Sequence, residues 1–186
     1  PNGFYIPRYR NVGKDKRDYL RGFGYQGRAS RSNYARLNDT PLVGEELKKA
    51  AREPGPWNIG MTAFGEILPY HDNRMWLDRE KKDRHGLPML VVDAVVRDNE
   101  LRMQKDMVAD AAEMLEAAGY KNVTVRSDSY NIGNSIHEMG TARMGADPKK
   151  SVLNRFNQVH ACRNVYVTDG SFMVSSACQN PSLTYM

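Results

Sequence analysis

Residues 88–118, PMLVVDAVVRDNELRMQKDMVADAAEMLEAA, pass from one hydrophobic pattern to another within a single stretch. The Val-rich run 88–96 has the length and the β-branched content of a strand. From Asp98 to Ala118 the apolar residues recur at helical spacing, with Asp98 placed to cap the helix and Gly119 to end it. The members of this apolar stripe are Leu101, Met107, Val108, Ala111, Met114, Leu115 and Ala118. The stretch therefore predicts a strand followed by one long amphipathic helix that packs on a core.

Upstream of this stretch, the residue pattern predicts a hairpin. Residues 58–64 and 66–68 have strand patterns, turn-forming residues follow at 71–73, and residues 74–77 alternate between two faces. Two short strands that flank such a turn are typical of an antiparallel pair. We therefore expect the strands before and after the turn to pair with each other.

Two further strands are predicted after the helix, at residues 123–125 and 164–169, the second of them buried. Strands before and after one long amphipathic helix indicate an α+β fold, in which an antiparallel sheet carries helices on one face. The final run, VYVTDG at residues 165–170, is closer in pattern to the strands of parallel sheets. We predict that this strand, with the helix start after it, belongs to a second domain that is largely absent from the chain.

A proline-rich stretch, EPGP at residues 53–56, divides the chain. It follows a short predicted helix at residues 41–52 and is expected to be a linker or a sharp turn. The sequence thus separates into a basic, Tyr- and Gly-rich arm with its linker (1–56), the sheet and long helix (57–134) and a C-terminal segment (135–186). Neither end has the pattern of a natural terminus, so we expect the chain to be cut from a longer protein.

The net charge of +5 is unevenly distributed. Residues 1–52 hold twelve Lys and Arg against five Asp and Glu, whereas the remainder is slightly acidic. Tyrosines interleave with this basic front, a composition that single-strand nucleic-acid binders use for phosphate contact and base stacking. No nucleic-acid-binding motif accompanies the charge, so no nucleic-acid partner is expected. The open alternatives are a solvated arm, a surface that packs on another part of the protein, and a non-catalytic module that binds polyanions.

Residue spacing gives no support to a membrane span or a metal site. The longest apolar run, residues 89–96, is broken by Asp93 and is too short for a transmembrane helix. The four histidines lie far apart without an HxxxH or HExxH spacing, so no metal site is predicted. Cys162 and Cys178 permit one disulfide at most.

The stretch GFGYQG at residues 22–27 matches the letters of the dinucleotide-binding pattern GxGxxG. A working motif needs a buried strand before it and a helix after it, so that the pyrophosphate meets a helix N-terminus. Here the charged run KDKRDYL (14–20) precedes the glycines and the polar run RASRSN (28–33) follows them. We therefore assign this stretch no phosphate-binding function.

The C-terminal segment concentrates the residues that could carry chemistry. His137 lies in a glycine-punctuated loop, SIHEMGTARMG at residues 135–145, where small residues let another backbone or a flat ligand come close. The blocks TDGS (168–171) and QNPSLT (179–184) follow it. A lone histidine is usually structural, but these companion blocks favour a functional role.

The motifs HEMGTARMGADP, SVLN and NVYVTDGSFMVSSACQNPSLTYM, in this order and spacing, resemble the C-terminal signature of the glucose-methanol-choline oxidoreductases, flavoenzymes that oxidise alcohols. The specific part of the resemblance covers residues 135–186. PNGFYIPRYRN at the start of the chain and FGEILP at residues 64–69 are similar, less specifically, to the substrate-domain half of bacterial sugar dehydrogenases in that family. The resemblance implies FAD as the cofactor.

The resemblance also implies that His137 is the catalytic base and that Asn180 is its partner. Oxidation of an alcohol moves a hydride to flavin N5 while a base takes the hydroxyl proton, a task that suits a histidine. The amide of Asn180 can hydrogen-bond the substrate oxygen without competing for that proton.

For the FAD itself, the resemblance implies contacts from two places in the segment. Asp169 and Gly170 would contact the ribityl and phosphate part, although Asp169 could instead be an ordinary cap in a turn. The second group begins a helix whose positive N-terminus faces the flavin pyrimidine ring, where negative charge accumulates on reduction. Its members are Asn180, Pro181, Ser182 and Thr184.

We therefore predict the C-terminal part of an FAD-dependent dehydrogenase or oxidase that acts on a CH-OH group of a sugar or sugar derivative, with a non-sugar alcohol as the alternative substrate. The family's nucleotide-binding half is expected to be missing from this chain, which alone is expected to be inactive. An electron-transfer subunit or cytochrome is an implied partner. The compartment, bacterial cytoplasm or periplasm, is left open.

Overall fold

The computed structural model describes residues 3–126, 132 and 137–186, with the backbone alone at residues 34 and 35. The predicted boundary between residues 134 and 135 lies outside the described residues. The elements are β1 (Gly3–Ile6), β2 (Phe23–Arg31), a 3₁₀ turn (Tyr34–Leu37), α1 (Gly44–Arg52), β3 (Trp57–Gly65), β4 (Arg74–Lys82), β5 (Pro88–Asp93), α2 (Asp98–Ala117), a second 3₁₀ turn (Gly170–Phe172) and α3 (Ser182–Tyr185). The fold is α+β with antiparallel sheets, as predicted.

The larger sheet has the strand order β1-β2-β3, and both of its strand pairs are antiparallel. Strand β2 pairs with β3 along its whole length, from Phe23 opposite Gly65 to Arg31 opposite Trp57. The glycine-rich front of the chain therefore supplies a full nine-residue strand, where the sequence predicted loops and short irregular strands. The sequence boundary at residue 56 falls between two strands that are hydrogen-bonded to each other.

The smaller sheet is the hairpin β4-β5, in which Trp76 lies opposite Val91 and Leu77 opposite Leu90. Its turn is closed by the Asp83 side chain, which accepts hydrogen bonds from the backbone N–H groups of His85 (2.8 Å) and Leu87 (3.0 Å). The predicted pairing of residues 58–68 with residues 74–77 is therefore wrong. The physical reason is that β3 pairs with β2, which precedes it in the sequence, while the Asp83 turn pairs β4 with β5, which follows it.

A core lies between one face of the larger sheet and α2. It consists of buried side chains from a loop, from β2 and from the helix, namely Tyr19, Phe23, Tyr25, Met103 and Met107. Gly65 permits the close approach of the helix, because a Cβ there would lie 2.4 Å from Cε of Met107. The helix thus packs through a methionine face, whereas Leu101 and Ala118 of the predicted stripe are exposed.

The two ends of α2 are defined differently from each other. Gly119, with φ of +87°, ends the helix as predicted, and the N–H of Tyr120 returns to the carbonyl of Leu115 at 3.0 Å. At the start, the capping position belongs to Arg97 and not to Asp98. The buried carboxylate of Glu100 accepts the Arg97 backbone N–H at 3.1 Å, and this bond does the work that the sequence assigned to Asp98.

The basic front of the chain is attached to α2 by hydrogen bonds to a carboxylate and by ion pairs. Tyr9 and Arg10 both donate to Asp110 at 2.7 Å, and Arg17 pairs with Asp106 at 3.6 Å. Burial and the hydrogen bond to Asp110 raise the pKa of Tyr9 to about 12. Part of the positive charge that suggested a polyanion-binding arm is therefore neutralised within the fold.

Two predicted strands after α2 are not regular strands. Residues 123–125 have no strand assignment, and the run around Val165 makes an isolated antiparallel bridge through Tyr166 to Gln158. Val165 is 42% and Tyr166 58% exposed, so this run is not buried among the residues that the structure describes.

Candidate active site where three C-terminal segments meet

Two of the predicted site segments lie side by side and are joined by backbone hydrogen bonds. The N–H of Gly140 donates to the carbonyl of Gly170 at 3.4 Å, that of Ala142 to Ser171 at 3.0 Å, and that of Met144 to Phe172 at 3.1 Å. This ladder fixes the loop that follows His137 against the block that begins at Asp169. The order of the chain gave no indication of this contact, because the two segments are about thirty residues apart in sequence.

The third segment joins them through Tyr185, the last residue of α3. Its hydroxyl lies 3.6 Å from Sδ of Met139, and its ring meets that of Phe172 edge-on with centroids 6.2 Å apart. Gly170 lies at the centre of this contact. A Cβ on Gly170 would lie 2.7 Å from the Tyr185 hydroxyl and 3.1 Å from the carbonyl oxygen of Glu138. Glycine is therefore required where the three segments meet.

The predicted catalytic residues are close in sequence to the residues of this junction. His137 is half-buried, three residues before Gly140 at the start of the ladder. Asn180 is exposed, and the buried Pro181 follows it at the capping position of α3. The predicted helix start at the end of the chain is confirmed.

Asp169 is exposed and caps the 3₁₀ turn that contains Gly170. Its carboxylate accepts hydrogen bonds from both the backbone N–H, at 2.9 Å, and the hydroxyl of Ser171. The side-chain bond from Ser171, and then the backbone bond, hold the pKa of Asp169 below its usual range. The carboxylate is thus ionised at neutral pH and held in one orientation.

The chemistry of these side chains fits a flavin. The exposed groups are a carboxylate on one segment and an amide and two hydroxyls on another, and together they can donate to or accept from a flavin ring edge and a ribityl chain. They belong to Asp169, Asn180, Ser182 and Thr184. Gly170 brings their two segments together without a side chain of its own.

The last segment is also seated on the larger sheet. The N–H of Ser176 donates to Oε1 of Glu66 at 3.3 Å, and Sγ of Cys178 lies 3.8 Å from the carbonyl oxygen of Gly22. Because side chains alternate along a strand, Phe23 and Tyr25 face α2 while Gly24 faces the other way. A Cβ at Gly24 would lie 3.3 Å from Cβ of Cys178. The glycines of the GxGxxG stretch, Gly22 just before β2 and Gly24 and Gly27 within it, thus allow close packing.

Sequence reasoning missed His160 as a member of this region. Its Nε2 lies 3.0 Å from the carbonyl oxygen of Gly145 and 3.1 Å from Oγ of Ser151. The ring therefore holds the end of the loop that starts at His137. In the sequence, His160 was considered only as a possible metal ligand, for which its spacing is unsuitable. Its position in a loop gave no other sign of a function.

Among the residues that the structure describes, the cysteines form no disulfide and the acidic and histidine side chains form no metal site. Cys162 and Cys178 are both free thiols, and burial raises the pKa of Cys178. Within residues 3–126, 132 and 137–186, no three His, Cys, Asp or Glu residues are grouped as metal ligands would be. Over the same ranges, no helix combines the length and the apolar composition that a bilayer crossing requires.

Comparison with known proteins finds several relatives of this chain. The chain is 36% identical over 116 residues to 6'''-hydroxyparomomycin C oxidase of Streptomyces lividus, an alignment that covers 62% of this chain and 21% of the relative. It is 31% identical over 176 residues to 2-methyl-1,2-propanediol dehydrogenase of Mycolicibacterium austroafricanum, covering 90% of this chain and 31% of the relative. It is also 31% identical over 150 residues to the gluconate 2-dehydrogenase flavoprotein of Pantoea cypripedii, covering 77% and 24%.

The chain thus spans about a fifth to a third of the length of these relatives. Their names describe dehydrogenases and oxidases of alcohols and sugar-like compounds. Residues 69–186, which contain the junction at Gly170 and every predicted site residue, match the sequence profile of the GMC oxidoreductases. This chain belongs to the GMC oxidoreductase family.

Proposed function

We propose that this chain is the C-terminal part of an FAD-dependent enzyme that oxidises a CH-OH group of a sugar or sugar derivative. The observation that supports this most is the junction at Gly170, where the His137 loop, the Asp169 turn and Tyr185 of α3 meet. The oxidase of a paromomycin derivative and the gluconate dehydrogenase among the relatives favour a sugar-like substrate. The propanediol dehydrogenase keeps a small non-sugar alcohol as the alternative.

In the proposed mechanism, the imidazole of His137 takes the proton of the substrate hydroxyl. The side-chain amide of Asn180 donates a hydrogen bond to the same oxygen, which orients the C–H bond for transfer. A bound flavin supplies the acceptor for the hydride. Half-burial of His137 limits the water that could compete with the substrate hydroxyl for its ring nitrogen.

The same segments would hold the cofactor. The ionised Asp169 would accept hydrogen bonds from hydroxyl groups of the ribityl chain, and the backbone at Gly170 would contact its phosphate end. The polar groups at the start of α3 would bind the edge of the ring, with Pro181 setting the direction of the backbone there. The residues of this second group are Asn180, Pro181, Ser182 and Thr184.

The rest of the enzyme would lie outside this chain. We propose that a nucleotide-binding half completes the FAD site, that residues 57–134 form the substrate-domain part together with strands β1 and β2 of residues 1–56, and that residues 135–186 form the catalytic part. The relatives include both an oxidase and dehydrogenases by name. Electrons would therefore pass either to oxygen or to an electron-transfer subunit or cytochrome.

The role of His137 can be tested directly in the full-length protein. The flavin is reduced anaerobically with probe alcohols, gluconate, glucose and 2-methyl-1,2-propanediol, and the loss of flavin absorbance is followed. We expect His137→Ala to slow reduction about 100-fold or more while flavin remains bound, because the proton acceptor is lost. His85→Ala, at an exposed histidine of the hairpin turn, is the matched control and should leave the rate unchanged. A His137→Ala protein that reduces at the normal rate would remove His137 from the mechanism.

The role of Asn180 is tested by comparing two substitutions. Asn180→Ala should lower the rate of flavin reduction with little change in its pH dependence, since only a hydrogen bond is lost. Asn180→Asp should lower the rate further and move the pH optimum upward, because a new carboxylate favours the protonated form of His137 and opposes the negative charge of the reduced flavin. The pH–rate profiles of both variants decide the question. Coincident profiles would mean that Asn180 only packs.

A further inference from the structure

Glu66 is an acidic side chain with no role in the proposed reaction, yet it is nearly buried. Its side chain is 13% exposed, and it lies directly after β3, at the end of the sheet where Phe23 pairs with Gly65. Burying a carboxylate is costly unless charged or polar partners compensate. Its partners therefore indicate what the residue is for.

The two oxygens of Glu66 face two different parts of the chain. Oε2 pairs with Nε of Arg21 at 3.1 Å, and Oε1 accepts the backbone N–H of Ser176 at 3.3 Å. Ser176 is 110 residues away in sequence and only four residues before Asn180. Glu66 is thus a link between the end of the larger sheet and the segment that leads into α3.

The Arg21 side of this link is rigidly built. Arg21 has φ of +72°, a conformation that costs a non-glycine residue free energy and persists only when its surroundings impose it. The carbonyl of Arg21 accepts hydrogen bonds from Nδ2 of Asn11, at 2.8 Å, and from the Arg8 guanidinium, at 3.2 Å. The backbone of Arg21 is therefore held in place, and its side chain reaches the carboxylate of Glu66 from there.

The residues that follow Ser176 rest on the same end of the sheet. Cys178 lies against Gly22 and Gly24. Two attachments, through Ser176 and Cys178, thus precede Asn180. Of these two, the one through Glu66 is a charge-assisted hydrogen bond to the backbone, the stronger kind.

We propose that Glu66 is a positioning residue, which holds the backbone at Ser176 and thereby places the amide of Asn180 for alcohol oxidation. This inference rests on the proposed function of Asn180. It assigns a role to the FGEILP motif, whose resemblance to sugar dehydrogenases came without a function.

The first test measures the link itself and needs no substrate. In the full-length, flavin-loaded protein, hydrogen exchange of the amides in residues 174–181 is compared between variants. Glu66→Ala should speed exchange there about tenfold or more, since a hydrogen bond to a charged group is lost. Glu66→Gln keeps an acceptor oxygen and should restore most of the protection. Arg21→Met, which removes the ion pair and leaves the acceptor, should have a smaller effect than Glu66→Ala. Unchanged exchange in Glu66→Ala, or an equal effect of Arg21→Met, would overturn the proposal.

The second test connects the link to the reaction. With the probe alcohol that reduces the unmodified enzyme fastest, Glu66→Ala should lower the maximal rate of flavin reduction at least tenfold, and Glu66→Gln should recover it. In a background of Asn180→Ala, the added Glu66→Ala change should cost less than about threefold, because its route of action is already gone. Independent, multiplying effects would overturn the proposal.

The outcomes separate the two hypotheses. An Asn180→Ala protein with normal reduction overturns the proposed role of Asn180, and with it the catalytic part of this inference. A slow Asn180→Ala protein combined with a normal Glu66→Ala protein overturns the inference alone. Should Glu66→Ala fail to fold or to bind flavin, Glu66→Asp, which withdraws the carboxylate by one methylene, takes its place in both tests with the same expected direction.

Discussion

The sheet–helix unit, formed by β1, β2, β3 and α2, and the C-terminal segment, residues 137–186, are held together by different means. In the unit, side chains from distant parts of the sequence interlock, as Tyr9 and Arg10 do with Asp110. In the segment, with one helical turn and one 3₁₀ turn as its assigned helices, the backbone itself makes the contacts, as in the ladder between residues 140–144 and 170–172. From this difference we expect a packing change in the unit to be destabilising, with an effect that stays local. The segment should be most sensitive wherever two backbones touch.

The largest effect is expected at Asp110, in the middle of the unit's polar contacts. Its side chain is 8% exposed and accepts bonds from Tyr9 and Arg10, so Asp110→Ala leaves a guanidinium and a phenol without their partner. We expect a loss of about 4 kcal/mol in the free energy of unfolding, measured by denaturant titration. Asp39→Ala, at an exposed acid, is the control. A loss below 1 kcal/mol would mean that side-chain interlocking does not hold the unit together.

The same residue makes part of the stability dependent on pH. Burial alone would raise the pKa of Asp110, but the hydrogen bonds from Arg10 and Tyr9 outweigh it and hold the pKa below its usual range. A carboxyl whose pKa is lower in the folded state contributes stability that is fully present above about pH 4 and is lost as the pH falls further. Asp110→Asn should therefore flatten the decline of unfolding free energy on the acid side. An unchanged acid profile would contradict this assignment.

An intermediate effect is expected at Gly170, where three backbone segments meet. Gly170→Ala places a Cβ 2.7 Å from the Tyr185 hydroxyl, and overpacking of this kind costs about 2 kcal/mol. The cost should appear as faster hydrogen exchange in residues 182–186 and 138–144, with the sheet–helix unit unaffected. Adding Tyr185→Phe removes the clashing atom and should restore part of the protection. Gly60→Ala is the matched control, since a Cβ there meets nothing within 4 Å. Equal effects at the two glycines would contradict the close contact at Gly170.

The smallest effect is expected at Leu101, on the outer face of α2. Leu101 is 49% exposed, so Leu101→Ala should change the free energy of unfolding by less than about 0.5 kcal/mol. Met103, two residues along the same helix and 2% exposed, serves as the comparison, and its replacement by Ala should cost several times more. A large loss at Leu101 would show that this face is covered in the full-length protein.

Periodic patterns in the sequence predicted which helices and strands the unit contains better than they predicted which strands pair with each other. The helix at 98–117 and its end at Gly119 follow from apolar spacing and from one glycine. Strand pairing did not follow, because β2 carries Gly24 and Gly27, which weaken a strand pattern, and because pairing is decided by contacts between distant residues. The helix face was predicted in part, since Met107, Ala111 and Met114 do pack on the core. The burial of Glu100 and Asp110 was missed because it depends on hydrogen bonding, which hydrophobic periodicity does not register.

For the candidate site, the sequence indicated which segments are involved but not the residues that support them. Motif composition drew attention to three segments, the His137 loop, the Asp169 turn and α3, which the structure joins around Gly170. What composition could not supply was the support from outside the motifs. Glu66 and His160 each contact one backbone group and one side chain, and such contacts leave no spacing rule in a sequence.

Strand β2 serves two neighbours at once, and this has a consequence for how the protein can change over generations. Phe23 and Tyr25 belong to the packing against α2, while Gly22 and Gly24 belong to the seat of Cys178. If the proposed function holds, we expect adjacent codons to be under separate selection, one set for a folded protein and the other for the placement of the segment that leads to Asn180. Mutational drift in the first set would be limited by abundance in the cell. Drift in the second would be limited by turnover, so a family of such enzymes could lose or alter activity through β2 while keeping its fold.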